Sequence, residues 1–563
     1  MISRRDFLTA AAAAAILTGS SAGRLARLAA QQALSETDLL AFEPLGNVTL
    51  VHLTDIHGQL VPLHFREPSV NIGVGPAKGR VPHLTGAEFR KHFRIADKSA
   101  EAFALTYDDF DTLAKVYGRM GGLDRIATIV KAIRGERANN MLLLDGGDTW
   151  ANSWTALQTK GQDMVDVMAE LKPDAMTGHW EFTLGEARVT ELTEALGFPF
   201  LAQNVRDSEF EDRVFPASKM FERSGVKVAV IGQAFPFTPI ANPRWMFPKW
   251  TFGIRESDLQ KEVDEARAAG AGLVVLLSHN GFDVDAKLAE IVTGIDVILS
   301  GHTHDALPEP VRIGDTLIVA TGSNGKFVSR LDLDVRDGAI KAYRYRLIPV
   351  FADAIRPDPA TAAIIKRHRA PYEADLARVL GKTETLLYRR GNFAGTLDNV
   401  ICEAMLTQRD AEIALSPGVR WGTSLLPGQN ITFEDITNAT ALTYPACYRM
   451  TMDGKRLKDV LEDIADNIFN PDPFYQQGGD MVRTGGLGYT IDISQPVGRR
   501  ISNMTLLKSG EALDSSKDYV VTGWASINQG TEGPPIWDVV AKHIEDAKVV
   551  APRETDVVKV VGT

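Results

Sequence analysis

Cysteine is nearly absent from this chain, because only Cys402 and Cys447 occur among its 563 residues. So few thiols exclude a fold that is built on a disulfide framework. A single disulfide between the two cysteines is possible in an oxidising compartment. We expect instead that both are buried as small apolar side chains. Neither thiol has the surroundings of a cysteine nucleophile, so thiol catalysis is not expected.

Excess basic charge and long hydrophobic runs are lacking too. The formal net charge is −11, and an acidic balance argues against nucleic acid as a partner because phosphate backbones attract basic surfaces. A negative net charge does not exclude a local basic pocket that binds a small anion. No segment after the N-terminus has the length of a bilayer span, so we expect no membrane span.

The N-terminus carries a twin-arginine pattern, Ser3-Arg4-Arg5-Asp6-Phe7-Leu8. A weakly apolar stretch over residues 9–19 follows, and it is too short to cross a bilayer. We therefore expect residues 1–30 to be a Tat signal, cleaved around residues 26–30. Tat export predicts a periplasmic location, and it suits proteins that fold or load a cofactor before export.

The chain is too long for one hydrophobic core, so two domains are expected. Residues 45–350 alternate strand-like runs with helical patterns, which is typical of a layered α/β domain. Residues 61–117 interrupt this alternation and are expected to be an insertion beside the site. Residues 357–382 resemble one long polar linker helix, and residues 383–563 are expected to form a second domain.

Asp or His residues follow five apolar runs of the first predicted domain. They are Asp55 and His57, Asp148, His179, His279, and the pair His302 and His304. Strand ends of an open α/β sheet converge, and two neighbouring cations need several carboxylate and imidazole ligands and a bridging group. The set predicts two divalent ions with four ligands each, because Asp148 behind two glycines is suited to serve both.

Each histidine alone would be a weak candidate, since a single histidine after a strand is more often an ordinary polar residue. The combination over five strand ends is what makes a metal centre the stronger hypothesis. Manganese suits this mixture of oxygen and imidazole ligands and is our first expectation, while zinc and iron also fit. The other histidines that lack this setting are His64, His83, His92, His368 and His543.

With these residues, the stretch 48–323 resembles the calcineurin-like metallophosphoesterase superfamily, and the two-domain plan resembles the periplasmic 5′-nucleotidase family. The resemblance implies a four-layer α/β sandwich joined by the linker helix to a smaller α+β domain. It implies that Asp55, His57 and His304 bind one ion, that His179, His279 and His302 bind the other, and that Asp148 bridges them. In the second domain, residues 414–420 fall where that family has a substrate loop, which assigns Arg420 to substrate binding.

The third motif departs from the nucleotidase pattern, in which Asn is a ligand and a His–Asp dyad is catalytic. His179 stands at the position of that Asn, Trp180 at that of the dyad His, and Thr183 at that of the dyad Asp. This form, together with the segments 392–396 and 479–487, resembles the SoxB thiosulfohydrolases of the sulfur-oxidising Sox system. Trp180 is expected to wall the pocket or touch the substrate's sulfur chain, with simple packing as the alternative.

The SoxB resemblance implies release of sulfate from a cysteine-bound S-thiosulfonate on a SoxYZ-type sulfur carrier protein. Asp148, Arg420 and Trp180 would be the catalytic residues, and the enzyme would act as a monomer. A periplasmic 5′-nucleotidase or related phosphoesterase is the alternative, and Tyr489 is one candidate for stacking on a nucleoside. A non-catalytic metal-dependent binding protein is a second alternative, which retention of the whole ligand set disfavours.

Overall fold

The structure is a computed structural model that describes residues 34–553 and 557–562. The predicted Tat signal over residues 1–30 lies outside the described residues. The chain divides into two compact units. Of the described residues, the first unit contains those up to His64, Phe89–Ala151 and Thr155–Pro371, and the second contains Phe65–Glu88, Asn152–Trp154 and those from Tyr372 onward.

Two β-sheets form the centre of the first unit. Its strands are β1 Val48–Leu53, β2 Met141–Asp145, β3 Ala175–Met176, β4 Arg206–Asp207, β5 Ser218–Arg223, β6 Val226–Gln233, β7 Trp250–Thr251, β8 Leu273–Ser278, β9 Val297–Ser300, β10 Val311–Ile313, β11 Thr316–Ala320, β12 Phe327–Arg336 and β13 Ala339–Pro349. One sheet has the order β13-β12-β1-β2-β3 and the other β10-β11-β9-β8-β6-β5. The strands β1, β2 and β3 are parallel, and so are β6, β8, β9 and β11.

The two sheets share one hydrophobic core. Leu50 and Leu144 of the first sheet and Val230 and Leu277 of the second belong to the same cluster and are fully buried. The parallel strands are continuous apolar runs, as expected for strands that are covered on both faces. The parallel strand ends that precede the candidate ligands therefore project from a rigid, closely packed core.

Helices cover the outer faces of both sheets. The α-helices up to residue 371 are α1 Glu36–Leu40, α2 Gly86–Phe93, α3 Ala100–Leu105, α4 Phe110–Tyr117, α5 Leu123–Glu136, α6 Trp154–Thr159, α7 Gln162–Leu171, α8 Glu186–Ala195, α9 Thr238–Ala241, α10 Glu256–Ala268, α11 Phe282–Ile291 and α12 Pro359–Arg369. Helix α5 packs on β2, while α10 packs on β6 and β8 and α11 on β9 and β11. The order helix, sheet, sheet, helix confirms the predicted four-layer α/β sandwich.

The prediction of one long linker helix over residues 357–382 is wrong. Helix α12 ends at Arg369, a 3₁₀ turn covers Ala370–Tyr372, and a strand begins at Val379. Pro371 explains the break, because proline has no N–H to continue the helical hydrogen bonds. Helix α12 also belongs to the first unit, since it packs on α5 and α7, and its His368 pairs with Asp166 at 2.8 Å.

The second unit is a smaller α+β assembly with its own core. Its strands are β14 Val379–Thr383, β15 Ile413–Gly418, β16 Asn430–Thr432, β17 Tyr448–Asp453, β18 Asp480–Gly485, β19 Leu487–Asp492, β20 Ile501–Leu506, β21 Asp518–Gly523, β22 Val549–Val550 and β23 Val558–Val561. Its helices are α13 Glu373–Leu376, α14 Thr396–Arg409, α15 Phe433–Thr440, α16 Gly454–Phe469 and α17 Ile536–Ala547. The sheets have the orders β16-β14-β22, β17-β21-β15-β18 and β20-β19-β23.

The structure tests the expectations for the two cysteines and for Tyr489, which lie in this unit. Cys402 and Cys447 are buried, as predicted, and they form no disulfide, which the sequence had left open. Tyr489 is only 3% exposed and packs in the core cluster, so its prediction as a stacking residue for a nucleoside is wrong. Across the described residues, no helix combines the length and the apolar character needed to cross a membrane.

Candidate metal centre

The structure brings all seven predicted ligand residues of the first unit together. They fall into two groups, and within each group the possible ligand atoms lie within 4.8 Å of one another. The first group is Asp55, His57, Asp148 and His304, and the second group is Asp148, His179, His279 and His302. Asp148 is the one residue common to both groups. Six of the seven are buried, and His302 is partly exposed.

The backbone at these strand ends adopts unusual conformations. Five of the seven residues have positive φ angles: Asp55 (53°), His57 (53°), Asp148 (57°), His302 (76°) and His304 (60°). Residues other than glycine occupy this region rarely, and each such conformation costs on the order of 1–3 kcal/mol unless the surroundings enforce it. Their concentration at one place indicates that the fold holds these side chains in position for a function.

Backbone hydrogen bonds lock the first two ligand turns together. The N–H of Asp55 donates to the carbonyl of Gly147 at 2.9 Å, and the N–H of His57 donates to the carbonyl of Asp148 at 2.7 Å. Gly147 has a φ of 92°, and a Cβ there would lie 2.8 Å from the Cα of Gly178. Only glycine therefore allows the turn that carries Asp148 to approach the turn that carries His179.

One carboxylate oxygen is the meeting point of three imidazoles. Oδ2 of Asp148 lies 3.0 Å from Nε2 of His279, 3.3 Å from Nδ1 of His179 and 3.8 Å from Nε2 of His57. The other oxygen, Oδ1, accepts the backbone N–H of Trp180 at 2.8 Å. Asp148 is thus oriented from one side while its Oδ2 faces histidines of both groups.

Asp55 has a similar place in the first group. Its Oδ1 lies 3.2 Å from Nε2 of His304, and both of its oxygens accept the backbone N–H of His302 at 3.1 Å. The hydroxyl of Thr54 donates to its Oδ2 at 2.6 Å. Nε2 of His57 and Nε2 of His304 lie 2.9 Å apart, so both imidazoles direct a nitrogen to the same point.

The electrostatics of the two groups favour cations. Burial by itself would raise the pKa of both Asp55 and Asp148, but the neighbouring histidines hold both pKa values below the ordinary one. Burial would conversely lower the pKa of His279, yet Asp148 and Asp55 raise it to about 10. Two buried carboxylates that force a proton onto a buried imidazole show that this place attracts positive charge.

The donor set also fits divalent ions. Each group offers four residues that contribute carboxylate oxygen or imidazole nitrogen, and one carboxylate is shared. Nδ1 of His279 lies 2.6 Å from the carbonyl of Gly146, so its Nε2 is directed to the carboxylates. This is the arrangement in which one imidazole nitrogen serves a metal while the other donates to a backbone carbonyl. None of the other histidines His64, His83, His92, His368 and His543 belongs to either group.

Glu181 is a residue of this centre that the sequence analysis missed. Its buried carboxylate accepts backbone N–H groups from both the Asp148 turn and the His179 turn. They belong to Asp148 (3.3 Å), Thr149 (2.6 Å), Trp150 (3.3 Å) and His179 (2.8 Å). Its position between Trp180 and Phe182 is a signal that could have revealed it, because a charged residue between two buried aromatic residues needs partners.

Trp180 lies at the edge of the centre and is 9% exposed. Its ring centroid is 5.4 Å from that of His179, and its backbone N–H supports Asp148. Thr183 does not replace an acid, because its hydroxyl donates to the carbonyl of Trp180 at 2.7 Å and so completes its own turn. The catalytic role predicted for Trp180 stays a prediction.

Arg420 belongs to a buried network of opposite charges in the second unit. Its Nε donates to Asp480 at 3.2 Å and its Nη2 to the carbonyl of Gly479 at 2.6 Å. The network contains four arginines, Arg389, Arg390, Arg420 and Arg483, and two aspartates, Asp398 and Asp480. All six side chains are almost fully buried, and guanidinium groups are donors of the kind that hold anions.

Comparisons with known proteins agree with this arrangement. The family "5′-nucleotidase, C-terminal domain" matches residues 379–541. Among solved structures, the sulfate thiohydrolase SoxB of Thermus thermophilus, solved with glycerol, is 38% identical with a TM-score of 0.90, and the match covers 93% of this chain and 98% of that one. A 5′-nucleotidase precursor of the same organism is 23% identical with a TM-score of 0.72, over 92% of this chain and 100% of that one, and supports the fold alone.

Curated relatives are more distant. The snake venom 5′-nucleotidase of Naja atra is 26% identical over 464 residues, which cover 74% of this chain and 83% of the relative. The 5′-nucleotidase of Homo sapiens is 25% identical over 436 residues, which cover 69% of this chain and 73% of the relative. The relatives and the two Asp/His groups together show a hydrolase with geometry for two metal ions.

Proposed function

The chain belongs to the SoxB family within the 5′-nucleotidase superfamily, and from this membership we propose that it releases sulfate from a cysteine-bound S-thiosulfonate on a sulfur carrier protein. The reaction breaks the bond between the terminal sulfonate sulfur and the sulfur chain. Water adds to the sulfonate, which leaves as sulfate, and the electron pair of the broken bond stays on the carrier's persulfide. Two protons are released in neutral solution, so that atoms and charge balance.

The observation that carries the proposal is the contrast inside the third motif. Every position of the two Asp/His groups keeps a residue that can bind a cation, while Trp180 and Thr183 occupy the positions of the nucleotidase dyad. A thiol has a pKa of about 8.5, so its thiolate is a weak base. A persulfide can therefore leave as an anion. A nucleotide alkoxide is a much stronger base and needs more help from a proton donor, so loss of the dyad is more tolerable for a sulfur substrate.

The seven Asp and His residues would hold two divalent cations, and manganese is our first candidate. The cations would supply activation of water near neutral pH and neutralisation of the charge on the sulfonate oxygens. The protein's own contribution is orientation. Asp148 is held by Trp180 and Glu181, and the imidazole of His279 is held by the carbonyl of Gly146.

Arg420 is proposed to bind the sulfonate, because its guanidinium lies in a buried cluster of arginines whose N–H groups can donate to an anion. Its ion pair with Asp480 limits the guanidinium to a narrow range of orientations, which lowers the entropic cost of binding an anion. Trp180 is proposed to line the path of the sulfur chain.

The substrate is attached to a protein, so the partner is a SoxYZ-type sulfur carrier. We propose Tat export to the periplasm on the basis of the N-terminal twin arginine, and action as a monomer. Remote contacts along the carrier's cysteine-bearing segment would position the sulfonate. Free thiosulfate lacks those contacts and should be a poor substrate.

Sulfate release from a carrier loaded with the S-thiosulfonate, measured beside hydrolysis of AMP and of free thiosulfate, tests the proposal. We expect rapid sulfate release from the loaded carrier and little turnover of the other two. The variant Asp148→Asn controls for contaminating activity. Efficient turnover of free thiosulfate, or of AMP in preference to the loaded carrier, would overturn the proposal.

Hydrolysis of nucleotides is the second candidate function, because the curated relatives are 5′-nucleotidases. The burial of Tyr489 in the core removes the stacking residue that the sequence suggested for it. The AMP arm of the same experiment decides between the two.

A further inference from the structure

The imidazole of His179 is held between two side chains of the segment that follows β6. The ring of Phe235 packs against it with centroids 4.0 Å apart, and the amide nitrogen Nδ2 of Asn242 lies 3.4 Å from its Nε2. Asn242 is 1% exposed, so this contact is shielded from water. Neither Phe235 nor Asn242 belongs to the Asp/His groups, and the site described so far gives Asn242 no role.

The orientation of His179 decides which nitrogen needs support. Nδ1 lies 3.3 Å from Oδ2 of Asp148, the oxygen that faces histidines of both groups, so Nδ1 is the nitrogen available to a cation. A neutral imidazole that binds a cation through one nitrogen carries its hydrogen on the other. Nε2–H of His179 is therefore a buried donor, and an acceptor beside it fixes both the tautomer and the plane of the ring.

We propose that Asn242 is the positioning residue for His179, with its amide oxygen accepting the Nε2–H hydrogen bond. This inference rests on the proposed two-ion centre. In the structure Nδ2 is the atom that faces Nε2. Rotation of the amide by 180° exchanges Oδ1 and Nδ2 with little change of shape, so the side chain can present the oxygen when Nε2 carries the hydrogen. Asn242 would thus act on one cation through His179 without touching it.

The departure of the third motif explains why this chain needs such a residue. The histidine at position 179 brings a ring N–H into a buried place, at a position where an asparagine ligand would have no ring. An unsatisfied buried N–H costs about 1–3 kcal/mol and leaves the ring free to turn. Asn242 offsets that cost at the point where His179 introduces it.

The local backbone is built to keep Asn242 in place. Its N–H donates to the carbonyl of Thr238 at 3.0 Å, which ends helix α9, and Pro243 follows it directly. Phe247 is fully buried and anchors the next turn. The segment therefore presents Asn242 from a fixed backbone, as a positioning role requires.

The test compares Asn242→Leu with Asn242→Asp. Leucine keeps the approximate volume and removes the acceptor, while aspartate keeps an acceptor oxygen and removes the amide donor. Asn204→Leu is the matched control, because Asn204 is fully buried and hydrogen-bonds the carbonyls of Ala234 and Gly253 at both ends of the same segment. Circular dichroism spectra and melting temperatures show whether each variant is folded.

The first measurement is binding of Mn²⁺ to metal-stripped protein, followed as two separate steps by calorimetry. We expect Asn242→Leu to weaken one step by about 10–100-fold and to leave the other unchanged. Asn242→Asp should keep both steps. Asn204→Leu should lower the melting temperature without separating the affinities of the two ions.

Other results overturn the inference. If Asn242→Leu binds both ions like the wild type, Asn242 does not position His179, and if Asn242→Asp is as weak as Asn242→Leu, it does not act as an acceptor. A wild-type protein that binds fewer than two ions refutes the two-ion centre and the inference with it. Two bound ions with a selective effect of Asn242→Leu but no sulfate release would uphold the inference and refute the proposed function.

Discussion

The carboxylate of Glu181 accepts the backbone N–H of Thr149 at 2.6 Å, although the two residues are 32 positions apart in the sequence. The same carboxylate accepts the N–H of His179 at 2.8 Å. One side chain therefore joins the turn after β2, which carries Asp148, to the turn after β3, which carries His179. Because Asp148 and His179 belong to the same group and Asp148 also belongs to the other, Glu181 stabilises a spacing on which the centre depends.

Glu181→Gln should lower the free energy of unfolding by about 3 kcal/mol, since the amide offers one acceptor oxygen to four N–H groups and turns a donor toward the others. It should also weaken metal binding by disturbing both turns. Chemical denaturation and elemental analysis measure the two effects. Glu191→Gln is the control, because its side chain is 67% exposed and pairs only with Arg188 at the surface. Equal stability of the two variants would show that Glu181 does not stabilise the spacing of the two turns.

The strand ends and their candidate ligands could be predicted because they depend on local pattern. An apolar run followed by Asp or His marks a strand and its end, and strand ends of parallel sheets converge whatever the details of the fold. Glu181 and Asn242 could not be predicted in the same way. Their partners are a set of backbone N–H groups and a ring nitrogen that only the folded chain brings near.

The two errors of the sequence analysis have physical causes. The polar pattern over residues 357–382 continues through Pro371, but an α-helical backbone cannot continue there because proline has no N–H. The segment therefore forms a helix, a 3₁₀ turn and a short helix. Tyr489 was a candidate for stacking on a nucleoside, a role that requires an accessible ring. Its strand β19 lies between two others, so the ring packs into the core instead.

Asp148→Asn should cost more activity and more metal than His304→Ala. Asp148 belongs to both groups, and its Oδ2 lies within 3.8 Å of three histidines, whereas His304 belongs to one group. Elemental analysis should find about two ions in the wild type, one in His304→Ala and fewer than one in Asp148→Asn. Normal metal content and turnover in Asp148→Asn would show that it is no bridge.

Arg420→Ala should reduce sulfate release by about 100-fold, which is the effect of removing one donor to a developing anion. Metal content should be unchanged, because Arg420 belongs to neither group. The variant should fold, since Asp480 keeps its ion pair with Arg483 at 2.9 Å. Steady-state kinetics and elemental analysis on one preparation test both statements, and unchanged sulfate release would contradict the assignment of Arg420.

Trp180→His alone should not produce efficient AMP hydrolysis. The new imidazole would have no acidic partner, because the Thr183 hydroxyl donates to the carbonyl of residue 180 and carries no charge. General acid–base catalysis contributes about 10²–10⁴-fold when its partners are in place. The double variant Trp180→His with Thr183→Asp should therefore exceed the single variant in AMP turnover. Strong AMP hydrolysis by the single variant would contradict this account of the motif.

Asp163 predicts how stability should depend on pH, away from the metal centre. It is fully buried near the start of helix α7, and the Thr159 hydroxyl donates to its Oδ1 at 2.7 Å. Its Oδ2 has no hydrogen-bond partner among the described residues. Burial is the largest influence and raises the pKa of Asp163 to about 6, while the bond from Thr159 acts in the opposite direction.

A carboxyl whose pKa is higher in the folded than in the unfolded protein binds its proton more tightly in the folded state. Its contribution to stability is complete below the unfolded pKa of about 3.9 and is lost as the pH rises through about 6. Asp163→Asn removes the ionisation and keeps an acceptor for Thr159. The variant should therefore gain stability relative to the wild type between pH 4 and 6, by about 2–3 kcal/mol at the plateau above pH 6. Urea denaturation from pH 4 to 7 measures the difference, with the exposed Asp264→Asn as a control that should show no such change. A stability difference that stays constant over this range would show that Asp163 is ionised in the folded protein as readily as in the unfolded chain.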